Sequence, residues 1–244
     1  NRTYSSNNFK TTPRTIMVIT QKILVDGEYN KKIVEKDTIY IHHTAGSHRP
    51  DWTIDGWERD RTKTGARLPV GTAYVIGGID RATGNNAFDG KIYQAFDDKY
   101  WAYHLGVSIN NDYLNSKSIG IEVCNYGYLI KASDGTFLNY VNSPIPANMV
   151  IDLGAKFRGF QFWQAYTPKQ LESLKWLIQN IALRHPKVDV KGGIKMFLNS
   201  GLNSFELNQA AQKGVPGIWS HTSIRKDKFD MYPHPQLLEL IKSL

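Results

Sequence analysis

The chain has one cysteine, Cys124, in 244 residues. That excludes an internal disulfide and a zinc cluster built from several cysteines. No apolar run approaches the roughly 18 residues that cross a bilayer as a helix, so no membrane span is expected. No run of five like charges occurs, and no nucleic-acid-binding tail is indicated. The opening residues, NRTYSSNNFK, lack the apolar core of a secretory signal. Internal repeats, low-complexity tracts and linkers are missing as well. One domain over residues 1–244 is therefore expected.

What is present suits a packed core. Hydrophobic residues make up 41% of the chain and aromatics 12%, which excludes disorder over most of its length. Lys and Arg number 30 against 22 Asp and Glu, a net charge of +8. The excess is uneven. Residues 1–122 carry 16 basic and 14 acidic side chains, and residues 123–244 carry 14 and 8. A basic surface attracts nucleic acid, anionic lipid or acidic wall polymer, and charge by itself does not choose among them.

Residues 1–14 are polar and read as a loosely held arm. The runs TIMVITQKILV, DTIYIHHTAG, GTAYVIGGID, KIYQAFDD, SKSIGIEVCN and VPGIWSH read as strands. Residues 52–63 read as a helix, weakened by Gly56. The clearest helix starts after Thr167, with Pro168 at its first position and Gln170 completing a capping box. Leu171, Leu174, Ile178 and Ile181 form its apolar stripe. A short helix over 204–213, closed by Gly214, and a terminal helix in LLELIKSL complete the set. Alternating strands and helices predict an α/β sheet covered by helices. Residues 126–165 are aromatic-rich, contain Pro144 and Pro146, and read as a long irregular functional insertion.

Three segments carry candidate chemistry. In IYIHHTAG, side chains alternate faces, so His42 and His43 cannot both enter one site. One is a candidate metal ligand at a strand end, and the other packs or hydrogen-bonds. In SIGIEVC, Gly120, Glu122 and Cys124 oppose an apolar face of Ile119, Ile121 and Val123. Glu122 faces solvent on an edge strand or occupies a pocket. A pocket would raise its pKa toward that of a general base, with Gly120 leaving space for a ligand. In SHTSIRKDKFDMYP, His221 and Asp230 form a zinc-compatible pair if the loop returns, with Lys228 near enough to stabilise an oxyanion. Otherwise this is an exposed charged loop.

Together IYIHHTAG, WAYHLG, SIGIEV and SHTSIRKDKFDMYP resemble, in order and approximate spacing, the zinc-dependent N-acetylmuramoyl-L-alanine amidases. This superfamily holds phage lysozyme-type amidases, cell-wall-recycling amidases and animal peptidoglycan recognition proteins. The resemblance covers roughly residues 35–125 and 165–235. It implies a central mixed sheet flanked by helices, a groove across one face, one zinc ion and peptidoglycan as substrate. It implies His42, His221 and Asp230 as ligands, with Asp227 as the fallback for the third, and Glu122 and Lys228 as catalytic groups. Some members use a tyrosine just after a glycine in place of the glutamate. Here Thr72 holds that position, with Tyr74 as a displaced alternative. His104 matches a histidine near the substrate, and Thr72, Trp101 and Asn125 are expected around it, with Asn115 a weaker candidate. Trp57, Trp163 and Trp219 either stack on sugars or pack in the core. The resemblance further implies a phage or prophage lytic enzyme acting on the wall, released at lysis or carried on a virion. The basic surface would then hold anionic wall polymers. A non-catalytic recognition module or a virion structural component is the alternative.

Overall fold

The computed structural model describes residues 17–244, so the arm expected over 1–14 lies outside the described residues. In chain order the strands are β1 (Ile19–Gln21), β2 (Thr38–His43), β3 (Tyr74–Ile76), β4 (Ile92–Gln94), β5 (Ser118–Val123), β6 (Tyr128–Lys131), β7 (Phe137–Leu138), β8 (Pro144–Ile145), β9 (Val150–Phe157), β10 (Phe160–Gln164) and β11 (Gly217–Ser220). The helices are α1 (Pro50–Arg59), α2 (Asn111–Lys117), α3 (Pro168–Arg184), α4 (Gln209–Gln212), α5 (His221–Ile224) and α6 (Pro235–Lys242).

Six strands form a mixed sheet in the order β1-β4-β3-β5-β2-β11. β3, β5, β2 and β11 run parallel, and β4 is antiparallel to β3. Parallel strands buried on both faces need continuous apolar sequence, which TIYI and SIGI supply. All six residues of β2 are buried. Helices flank the sheet, and the α/β class with a central mixed sheet holds. α3 begins as its sequence dictates: the Thr167 side chain accepts from the Gln170 amide, and Gln170 answers to the Thr167 backbone. Its Leu174, Leu177, Ile178 and Ile181 are completely buried. α1 starts two residues earlier than expected, because Pro50 suits the first helical turn.

The register positions the chemistry. His42 pairs with Glu122 across β2 and β5, and Ser220 of β11 pairs with Ile41. Paired residues in neighbouring parallel strands share a face. His42, Glu122 and His221, the residue after Ser220, therefore meet at the carboxyl ends of three adjacent strands. That edge is where open α/β sheets bind ligands.

Residues 126–165 correct the sequence reading. They are not an irregular loop but a second sheet, antiparallel, in the order β8-β7-β6-β10-β9. Its strands are as short as two residues, too brief for periodicity to register. It packs through aromatics on the segment between α5 and α6, where Tyr232 also meets the ring of His43 in β2 at 6.3 Å. Trp163 stacks on Tyr232 at 4.5 Å, and Tyr232 on Tyr166 at 4.8 Å.

Candidate metal centre

His42 and His43 part as strand geometry requires. His42 Nδ1 lies 3.1 Å from Asp230 Oδ2. His43 turns to the other face and meets the Tyr166 hydroxyl at 2.9 Å. His221 Nδ1 reaches the same Asp230 oxygen at 3.0 Å. One ligand atom from each of His42, His221 and Asp230 lies within 4.8 Å of the others. Asp227, the fallback ligand, is exposed and paired with Arg225 instead.

The proton positions follow from the hydrogen-bond partners. His221 Nε2 faces the Leu105 carbonyl at 2.9 Å. A carbonyl only accepts, so Nε2 carries a proton, and in the neutral ring that a metal ligand requires Nδ1 is the lone pair. His42 is fixed by a longer chain. The Ser118 hydroxyl donates to the Asn115 carbonyl at 3.3 Å, so it accepts from His104 Nε2 at 3.0 Å. His104 Nδ1 is then an acceptor, and takes the proton of His42 Nε2 at 3.0 Å. His42 Nδ1 is left as a lone pair. Two imidazole lone pairs thus point at a carboxylate oxygen about one hydrogen bond away. Acceptors so placed repel unless a cation sits among them, and two nitrogens with a carboxylate are the donor set of a zinc site.

The electrostatics agree. Burial pushes the His42 imidazole down to about 4, against the opposing pull of Asp230, so it is neutral at pH 7, as ligation requires.

Glu122 is not on a solvent-facing edge. β5 lies between β2 and β3. Among the described residues, the Glu122 Oε2 atom is buried without a hydrogen-bond partner. Burial, reinforced by Asp230 and opposed by Lys228, raises its carboxyl well above the ordinary value. Lys228 is half-buried, and its charge acts on both Glu122 and His42.

The residues expected around the substrate sit differently. Both ring nitrogens of His104 are engaged within the protein, so it braces His42 from behind. The space beside Gly120 is filled by Thr72 and His104. A Cβ there would come 2.6 Å from the Thr72 methyl and 3.0 Å from His104 Nδ1. Thr72 is buried and donates to the Tyr74 carbonyl. Asn125 is buried and donates to the Gln164 carbonyl at 3.0 Å. Trp101 is buried edge-on to Tyr103. All three are engaged within the protein. Asn115 accepts from the backbone amides of His104 and Leu105, which sets both groups that brace the histidines. The tyrosine route is closed, since the Tyr74 hydroxyl is committed to Asp98 at 2.7 Å. Trp163 and Trp219 are core residues, and Trp57 lies partly buried under Gly71.

Two recesses adjoin the cluster's loops. One, of about 520 Å³, is lined by residues 106–109 and 225–227 with Leu207. The other, of about 230 Å³, is lined by His48, Trp52, Arg81, Tyr126 and Gln164. Tyr126 and Gln164 come from the 126–165 segment.

A buried pair of histidines and a carboxylate form a group that could hold a metal ion, beside a carboxyl that burial has raised, and the whole has the make-up of a hydrolase site. The chain belongs to the N-acetylmuramoyl-L-alanine amidase family, whose model matches residues 31–196, about two thirds of the chain. It is an enzyme that hydrolyses the amide between N-acetylmuramic acid and L-alanine in peptidoglycan, and its site of action is the cell wall. The match includes His42, His104 and Glu122, whereas His221 and Asp230 lie beyond it. Among solved structures, the chain is similar to PlyL at 11% identity and TM-score 0.48, covering 93% of this chain and 96% of that one. It is similar to the PlyG catalytic domain at 12% identity and TM-score 0.48, with 93% of each chain covered. It is also similar to the amidase LysC of Clostridium intestinale URNW at 14% identity and TM-score 0.45, covering 93% and 97%. Family membership rests on the sequence match. No curated protein matches the sequence.

Proposed function

We propose that the amidase is zinc-dependent, with His42, His221 and Asp230 holding one ion, Glu122 as general base and acid, and Lys228 as oxyanion stabiliser. The observation that carries this reading is the convergence of three lone pairs beside an unpartnered buried carboxyl. A zinc ion held by these three residues would supply Lewis-acid chemistry for the scissile carbonyl and for a water. Glu122 Oε2 receives the proton of the attacking water and passes it to the departing nitrogen of L-alanine. Its raised affinity for protons suits both halves of that task. The Lys228 ammonium offsets negative charge gathering on the carbonyl oxygen.

The two recesses would take the two sides of the substrate, glycan and stem peptide, with Tyr126 and Gln164 lining one of them. The packing of the second sheet on the segment between α5 and α6 supports one amidase domain over the whole chain. As source we propose a phage or prophage lytic enzyme, an inference from family membership only.

The test is digestion of purified peptidoglycan, counting new α-amino groups against new reducing ends, with and without a zinc chelator. Chelator-sensitive release of amino-terminal L-alanine is expected, with no reducing ends. Glu122→Gln should keep its zinc and lose ~10²–10⁴-fold in rate. Near-full activity of that variant would remove Glu122 as the base.

A further inference from the structure

The ligand loop, residues 221–230, is held from outside by the second sheet. Arg158 lies in the two-residue turn between β9 and β10, and only 7% of its side chain is exposed. Its guanidinium donates to the Thr222 carbonyl at 2.8 Å and to the Lys226 carbonyl. Glu206 pairs with the same group at 2.9 Å. The far end of the loop is gripped too. Phe229, immediately before ligand Asp230, lies 5.1 Å from the Tyr128 ring and 5.8 Å from the Phe160 ring. Those two rings stack on each other at 3.8 Å.

The turn itself is costly. Arg158 has φ +51° and Gly159 has φ +88°. Such a two-residue hairpin turn prefers Asn, Asp or Gly at its first position. An arginine in the left-handed region carries a backbone cost that glycine does not. The cost is offset where its side chain makes contacts that a short residue cannot reach.

We propose that Arg158 is a positioning residue for the metal centre. Its fork ties the carbonyls of Thr222 and Lys226 together and so fixes His221 relative to Asp230. Neither sheet by itself sets that distance. The first sheet positions His42 and the start of the loop, and the second sheet positions its course and end. Two parallel N–H donors on a planar group define an orientation that one ammonium does not, so lysine is a poor substitute. The inference rests on the proposed zinc site, and its readout is metal affinity rather than turnover.

The experiment is chelator-competition titration of zinc into the full chain, alongside thermal unfolding without metal. Arg158→Ala should weaken zinc binding by roughly 10-fold or more, in the range seen when outer supports of ligands are removed. Arg158→Lys should recover only part of it. Phe137→Ala, in β7 and away from the loop, is the control for general loosening of the second sheet. It should lower the unfolding temperature while leaving the zinc Kd unchanged. If Arg158→Ala does not fold, Glu206→Gln removes the negative charge that faces the guanidinium at a half-buried position. It should weaken zinc in the same direction by less. Wild-type zinc affinity in Arg158→Ala, or in Glu206→Gln where Arg158→Ala does not fold, overturns the proposal. So does equal weakening by Phe137→Ala. A wild-type chain that holds no zinc overturns both this inference and the zinc site, whereas unchanged affinity in the variants overturns this one alone.

Discussion

At the scale of single residues, the site is organised by where protons cannot be. The Leu105 carbonyl forces a proton onto His221 Nε2, and Ser118, through His104, forces one onto His42 Nε2. His104 thus acts through His42. Replacing it with alanine leaves the His42 Nε2 proton without its acceptor and frees the ring to turn. His104→Ala should weaken zinc by about 10–100-fold while the chain stays folded. Chelator competition with circular dichroism checks both, and unchanged affinity would break the relay argument. The sequence made part of this legible. Strand alternation separated His42 from His43, and the β-strand pattern put Glu122 opposite the apolar face. The roles of Asn115, Ser118 and Leu105 were not legible. A backbone carbonyl leaves no mark in the sequence, and His104 and Ser118 meet across 14 positions through a turn of the fold. Gly120 was read as making room for a ligand because a glycine's vacancy does not say what fills it.

At the scale of elements, legibility followed length and capping. α3 was readable because Thr167, Pro168 and Gln170 mark its start and its stripe repeats over 17 residues. The second sheet was unreadable because β7 and β8 span two residues each, while Pro144 and Pro146 argue against strand. One tie between elements has a defined pH response. Asp98, after β4, accepts from Arg184 at 2.8 Å, meets His185 at 3.0 Å, and accepts from the Tyr74 hydroxyl. It pins the end of α3 to β3. Burial raises its carboxyl, but the bonds to His185 and Tyr74 and the charge of Arg184 bring it below its ordinary value. A carboxyl depressed in the folded state binds fewer protons there than in the unfolded chain. Its stabilising contribution is present above the unfolded value near 3.8 and fades as pH falls through the folded one. Asp98→Asn should cost about 2 kcal/mol at pH 7, discounted because Arg184 is 42% exposed. The gap to wild type should close below pH 4 in urea unfolding series. A gap independent of pH would mean that packing, not charge, is what the aspartate provides.

At the scale of the whole molecule, the net charge of +8 bears on an enzyme whose substrate is a solid wall. Anionic polymers threaded through that wall would concentrate a basic protein on it, and the attraction would be long-ranged and open to screening. The proposed metal centre is different. His42 is buried and only 15% of the Asp230 side chain is exposed, so its interactions are short and poorly screened. The two contributions should therefore separate with salt. The screening length falls from about 10 Å at 0.1 M to about 3 Å at 1 M. Co-sedimentation with whole walls should drop severalfold over that range, while turnover of a small soluble muropeptide, measured in parallel, should change little. Walls stripped of their anionic polymers should lose the salt-sensitive part from the start. If sedimentation stays constant from low to high salt, the basic surface has no part in wall binding, and retention would have to come from the groove itself.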